Sequence, residues 1–442
     1  MSLLKQHQTL TVAGEKSCEV LSLLGEGGQG EVYLVSFEGQ DLALKWYFKP
    51  FATSAQRTLL EDLILWGAPN DKFLWPLALV NTSRNTGLGY LMRVRGEEYS
   101  GIYPLLRGRI NPTIRAICSA GMELADSYLQ LHSKGLCYRD ISMGNVFIDA
   151  VQGKILICDN DNVAVNKKGK ASIQGTPRFI APEVVMGDAM PSTQTDLFSL
   201  AVLLFYFFML HHPFEGKLDS QIHCLDSFAV DELYGRNPVF IFDPTNHSNE
   251  PDPKFHRRVM SYWKLYPQFL RDMFIRAFTV GIRDPMARIQ ESEWRSELAR
   301  VQDCIIYCQE CGAENFFDPA AVVGTHCWNP QCGVQVRIPL QLKIDNRWVT
   351  LNHDRKIVKH HLDGTSYDFT RTVGEVAENP KIKGMWGIKN LSTYKWVVSL
   401  PDGKMWDVEP GKSIGMVPGS KISFGKVEGE IMSQGQNGPS HR

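Results

Sequence analysis

Residues Leu131–Asn145 read LHSKGLCYRDISMGN, and this stretch decides how the rest of the chain is read. It sets Arg139 and Asp140 ahead of Asn145, with four residues between the carboxylate and the amide. A carboxylate able to take a proton from a hydroxyl and an amide oxygen able to hold a hard cation thus share one short loop. Downstream, Ile155–Asp161 reads ILICDND, an apolar strand that ends in a further carboxylate, Asp159.

Upstream, from Glu19, the chain reads EVLSLLGEGGQGEVYLVSFEGQDLALKWY. Gly25, Gly27 and Gly30, followed by Val32, give G-x-G-x-x-G-x-V. That spacing alone also suits a plain hairpin turn or a dinucleotide fingerprint. A dinucleotide site needs a helix directly after the glycines, whereas VYLVSF continues as a strand and EGQ turns it back. Lys45 ends the apolar LALK, fifteen positions after Gly30. Sixteen residues later Glu61 lies in RTLLEDLILW, where Leu59, Leu60, Leu63 and Ile64 mark one apolar helix face. Glu61 is the candidate partner for Lys45. Asp62 has a shorter reach, and a solvated helix charge is the bland alternative.

Three more signals follow in order: GTPRFIAPE at Gly175–Glu183, Asp196 and Ser199 heading an apolar helix, and Arg288 in DPMAR. Together these elements resemble the protein kinases. The resemblance covers roughly two thirds of the chain and implies an α+β, bilobal fold: an N-lobe antiparallel sheet with one helix, then a mostly helical C-lobe. It implies that Asp140 orients the acceptor hydroxyl and receives its proton. Asn145 and Asp159 would hold Mg²⁺ (or Mn²⁺), and Lys45, fixed by Glu61, would steady the ATP phosphates. Gly25, Gly27, Gly30 and Val32 would cover the nucleotide, with Met92 and Val94 beside the adenine. Arg288 would pair with Glu183. Thr176 resembles the family's threonine that goes with Ser/Thr acceptors, and Ser172 and Thr176 are candidate autophosphorylation sites that Arg139 would read.

Four positions depart from the family pattern. Tyr138 replaces His, Ser142 replaces a Lys, Asn160 replaces the Phe after Asp159, and Asp161 replaces the following Gly. Asp161 reads as an exposed turn carboxylate, with an added metal contact as the alternative. The alternative to an active enzyme is a pseudokinase-like scaffold that binds ATP with little turnover.

Composition bounds the rest. A chain of 442 residues, 43% hydrophobic and 21% charged, exceeds one ordinary core and predicts several globular domains. A formal net charge of −1 gives no footprint for nucleic acid or an anionic membrane. The longest uncharged apolar run, Leu197–Leu210, is shorter than the ~20 residues a bilayer needs, so it predicts a buried core helix and no membrane insertion. The N-terminus lacks a secretory pattern, and scattered thiols fit a reducing compartment, so a cytoplasmic protein is expected.

Of ten cysteines, Cys308-x-x-Cys311-Gly and Cys327-x₄-Cys332-Gly form two metal-binding turns fifteen residues apart. Four thiolates at this spacing predict a structural Zn²⁺ site, and the module resembles a zinc ribbon. His326 is an alternative ligand to Cys327, and Cys304 reads as a core thiol. Short alternating segments after Ile338 predict a β-sandwich. Its end, WGIKNLSTYKWVVSLPDGKMWDVEPGKSIGMVPGSKISFG, resembles a forkhead-associated domain. Gly374-Glu375 stands where that family has Gly-Arg, and Ser-x-x-His has no clear counterpart. His353, His360 and His361 read as surface or packing residues.

The expected division is an extension over 1–14, a kinase domain over 15–300, a zinc ribbon over 301–338, a sandwich over 339–432 and a disordered tail over 433–442. This architecture is similar to bacterial kinases of tellurite-resistance-associated phosphorylation systems. That resemblance implies protein substrates, with a PP2C-type phosphatase and a von Willebrand A domain protein as partners.

Overall fold

The computed structural model describes residues 2–13, 16–82, 87–166, 175–222, 224, 226–317 and 325–433. Ser172 and nearly all of the expected tail lie outside them. The chain forms two compact units, Met1–Trp263 with Arg271–Ser296, and Lys264–Leu270 with Glu297–Arg442. The cysteine turns and the sandwich therefore belong to one unit.

The first unit begins with six strands: β1 (Thr9–Val12), β2 (Lys16–Gly27), β3 (Gly30–Phe37), β4 (Gln40–Tyr47), β5 (Ala78–Asn81) and β6 (Gly89–Arg93). They run in the order β1-β2-β3-β4-β6-β5 and close into a barrel, because β1 also pairs with β5. This corrects the extension expected over 1–14. The alternation of TLTV buries Leu10 and Val12 on one face, and Leu4 joins the same core. Helix α1 (Ser54–Trp66) is capped by Thr53, whose side chain accepts from the Gln56 amide, and it buries Leu60 and Leu63.

Beyond β7 (Tyr99–Gly101) and α2 (Ile102–Leu106) comes the long α3 (Ile114–Ser133). Three short strands carry the loops of interest: β8 (Leu136–Cys137), then the hairpin of β9 (Val146–Asp149) and β10 (Ile155–Ile157). β11 (Ala164–Val165) returns to pair with β8, which pins both ends of the segment between them. After α4 (Pro182–Val185), α5 (Thr193–Met209) starts at a capping box between Ser192 and Thr195. Its apolar run is buried on every side, as expected of a core helix, with Phe205 in edge contacts with Phe274 and Phe278. Among the described residues no helix is long and apolar enough to cross a membrane.

In the second unit β12 (Ile305–Tyr307) pairs with β13 (Glu314–Phe316) beside the cysteines. Ten strands then build two sheets: β14 (Gln341–Ile344), β15 (Arg347–Thr350), β16 (Lys356–Val358), β17 (Thr372–Glu378), β18 (Trp386–Asn390), β19 (Trp396–Ser399), β20 (Met405–Val408), β21 (Ser413–Gly415), β22 (Lys421–Ser423) and β23 (Glu428–Met432). The orders are β15-β14-β23-β22-β19-β20 and β16-β17-β18-β21. Leu342, Ile357, Val376, Ile388 and Trp396 share one core. Gly374 lies inside β17, where a Cβ would sit 2.8 Å from the Trp396 ring, so this glycine serves packing. His360 and His361 lie on the one-turn helix Lys359–Leu362, and both are buried. His361 pairs with buried Asp303 at 3.2 Å.

Candidate active site

Asp196, at the start of α5, anchors the loop after β8. It accepts from the backbone amides of Tyr138 at 2.5 Å and Arg139 at 2.9 Å. His132, near the end of α3, bridges Asp196 at 3.1 Å and Glu291. Burial alone would lower the His132 pKa, but the two carboxylates outweigh it and raise it to about 9. A cationic imidazole therefore holds the anchor in place. Sequence reading missed His132, although it stands inside the opening stretch.

The departure at Tyr138 has a definite consequence. Its fully buried ring sends the hydroxyl to the Cys158 carbonyl, tying the loop to the residue before Asp159. Arg139 adopts φ 71° and donates from Nε to the Asn162 carbonyl at 2.6 Å. Both ties hold Asp140 opposite the Asp159–Asn162 turn.

Asp140 collects three side-chain donors. Asn145 Nδ2 gives 2.9 Å and Asn162 Nδ2 gives 3.3 Å to one oxygen, and the Thr176 hydroxyl donates to the other at 2.6 Å. Burial raises the Asp140 pKa, opposed by the hydrogen bonds from Thr176 and Asn145. A partly desolvated carboxylate receiving a hydroxyl is arranged as a proton acceptor.

Asn145 and Asp159 are brought close by the Cys158 amide, which donates to the Asn145 carbonyl at 3.0 Å. That backbone bond sets the two side chains on neighbouring segments. Asn145 spends its amide NH₂ on Asp140, which leaves its side-chain carbonyl oxygen for a cation. Asp159 adopts φ 50° and keeps its side chain 45% exposed, with one oxygen 3.3 Å from Lys45. The buried Asn162 Oδ1 has no hydrogen-bond partner among the described residues. The Asn145 side-chain carbonyl and the Asp159 carboxylate are oxygen donors of the kind that suits Mg²⁺.

Lys45 lies where the sequence suggested, buried on β4 opposite Val32 and Tyr90. Its partner differs from the expected one. Glu61 is exposed on α1 and forms no ion pair among the described residues, because the buried face of α1 carries Leu60 and Leu63. Lys45 instead meets Asp161 at 2.9 Å. Asp161, expected as an exposed turn carboxylate, is only 1% exposed, on the 3₁₀ turn Asn160–Asn162. Burial alone would lower the Lys45 pKa, but the charges of Asp161 and Asp159 raise it.

The three glycines divide by role. A Cβ on Gly30 would sit 2.2 Å from the Trp46 carbonyl oxygen, so Gly30 lets β3 approach β4. Around Gly25 a Cβ would meet nothing within 4 Å, and Gly27 is nearly as open. Met92 is buried on β6 and Val94 is exposed just beyond it. Arg288 grips Glu183 with two bonds of 2.8 Å, as expected from their positions.

In the second unit the sulfurs of Cys308, Cys311, Cys327 and Cys332 all lie within 4.8 Å of one another. Cys308–Cys332 is 3.7 Å and Cys311–Cys327 is 3.5 Å. A tetrahedron of ~2.3 Å Zn–S bonds has edges of about 3.8 Å, so the four thiols fit zinc. Asn315 Nδ2 supports Cys327 at 3.8 Å. His326 is exposed and outside the cluster, and Cys304 is buried apart from it.

The protein kinase domain model matches residues 18–252, more than half of the chain. Mouse protein kinase C delta type is 30% identical over 217 residues, covering 47% of this chain and 31% of the relative. A putative ribosomal protein S6 kinase alpha-1 of Caenorhabditis elegans is 29% identical over 226 residues, covering 46% and 27%. A cGMP-dependent protein kinase of Toxoplasma gondii is 28% identical over 223 residues, covering 49% and 22%. The chain spans less than a third of the length of these curated relatives.

Proposed function

This chain belongs to the protein kinase family, and on that premise we propose that it transfers the γ-phosphoryl group of ATP to Ser or Thr hydroxyls of proteins. The observation that carries the reading is the hydroxyl of Thr176 donating to Asp140 at 2.6 Å. An incoming acceptor hydroxyl would make the same bond, and Asp140 would orient it and take its proton. Asn145 and Asp159 would hold Mg²⁺, which when bound neutralises phosphate charge. Lys45 would steady the phosphates beneath the open loop of Gly25 and Gly27, and Val32, Met92 and Val94 would line the base. Most of the catalysis would be positioning, since the Asp196–His132 anchor fixes the loop before substrate arrives.

Thr176 is the proposed autophosphorylation site. Zn²⁺ on the four cysteines would hold the ribbon-like segment, supported by the sulfur spacing. The β-sandwich is proposed to be forkhead-associated-like, and a cytoplasmic bacterial signalling role with a PP2C-type phosphatase and a von Willebrand A domain protein extends the resemblance in architecture.

A second reading has its own support. Lys45 is engaged by Asp161 and Asp159, and Ser142 supplies no cation near Asp140. An ATP-binding scaffold would share both features. Labelled γ-phosphate separates the two: transfer by wild type and none by Asp140→Ala supports the kinase. Measurable Mg-ATP binding without transfer in either protein sinks it in favour of the scaffold.

A further inference from the structure

A buried ammonium needs a fixed counter-charge, and the site supplies one from an unexpected element. Asp161 receives Lys45 Nζ on both oxygens, at 2.9 and 3.0 Å. The Tyr47 hydroxyl also donates to it, and the Tyr90 hydroxyl approaches at 3.3 Å. These contacts nearly fill the acceptor positions of one carboxylate. Among the described residues α1 joins this hydrogen-bond network through Gln56 Nε2, which donates to the Tyr47 hydroxyl at 3.1 Å. Glu61 stays exposed on the same helix.

We propose that Asp161 is the residue that positions Lys45 on the nucleotide phosphates, and that α1 supports it through the neutral Gln56–Tyr47 relay. The inference rests on the nucleotide-binding part of the function proposed above. Asp161 lies two residues after Asp159, on the same short turn. The anchor for the phosphate-holding lysine and the carboxylate for the cation are therefore one covalent unit. Among the described residues no side-chain charge of α1 enters the Lys45–Asp161 ion pair. A purely architectural ion pair would be a poor use of two buried charges, since an apolar pair of similar volume often packs as well.

The test measures the affinity of the full chain for a fluorescent ATP analogue with Mg²⁺, alongside γ-phosphate transfer. Asp161→Asn is expected to weaken binding about tenfold or more, the scale of a lost charged hydrogen bond, and Glu61→Gln less than about twofold. Lys45→Met with Asp161→Asn is expected to bind no more weakly than Lys45→Met alone, because the two act through one contact. Equal losses for Glu61→Gln and Asp161→Asn overturn the proposal, and so does a double variant whose losses multiply. If Asp161→Asn does not fold, Tyr47→Phe carries the test, since it removes one donor to Asp161. It must weaken binding more than Glu61→Gln does; an equal effect overturns the proposal. Absence of transfer in wild type, with this binding pattern intact, counts against the kinase reading and leaves the role of Asp161 standing.

Discussion

At the scale of single residues, Asp140 and His132 make separable predictions. Asp140→Ala removes the proposed proton acceptor and is expected to cut γ-phosphate transfer by about 10²- to 10⁴-fold. Affinity for Mg-ATP should stay within a few-fold, which equilibrium binding would check. A parallel collapse of affinity would show that Asp140 serves nucleotide binding instead. His132 is expected to show its effect first in stability, through its bonds to Asp196 and Glu291. Its pKa rises from 6.5 in the unfolded chain to about 9 in the fold, held there by Asp196 and Glu291. A raised pKa contributes stability fully below pH 6.5, and that contribution is lost as pH climbs through about 9. Up to about 3 kcal/mol is at stake, and denaturant unfolding at about pH 6, 7.5 and 9.5 would read it. His132→Gln should flatten the decline; an unchanged profile would mean other groups cause it.

At the scale of elements, the glycine loop joins β2 to β3 with two kinds of glycine. Gly30→Ala places a methyl against the backbone of β4 and should destabilise the first unit by about 1–3 kcal/mol. Gly25→Ala meets open space and should leave the unfolding midpoint nearly unchanged, with any effect confined to nucleotide affinity. Thermal unfolding of the two variants side by side decides this, and equal destabilisation would contradict the division of roles. The α1 helix carries a similar lesson. The apolar spacing of Leu60 and Leu63 identified the helix, while the rotation that exposes Glu61 was set by what the helix packs on.

At the scale of the whole molecule, the chain carries its candidate active site in one unit and a cysteine cluster in the other. Metal analysis is expected to find about one zinc per chain, and Cys327→Ser should abolish it. Chelation should loosen the segment around β12 and β13, measured as faster protease cleavage there, while affinity for Mg-ATP persists. Zinc retained by Cys327→Ser would point to different ligands, with His326 the nearest alternative.

Much of the first unit was legible in the sequence because local chemistry wrote it there. Asp140, Asn145 and Asp159 sit in short loops between strands, where spacing along the chain nearly dictates proximity. The cysteine turns were legible for the same reason, since each pair spans one tight turn. The partner of Lys45 was not. Asp161 lies more than a hundred residues away, and only packing of its turn beneath the barrel and α1 buries it. A lone aspartate in a turn reads as solvated, and nothing in its neighbours announces the Tyr47 and Tyr90 hydroxyls that donate to it. Strand β1 was missed because so brief an alternation is too short to signal a barrel; its closure depends on β5, which lies far along the chain. Sequence alone determined which groups carry charge, metal affinity and a reactive oxygen. Tertiary structure decided which of those charges face one another, because burial makes every unpaired charge costly and leaves few arrangements in which all are met.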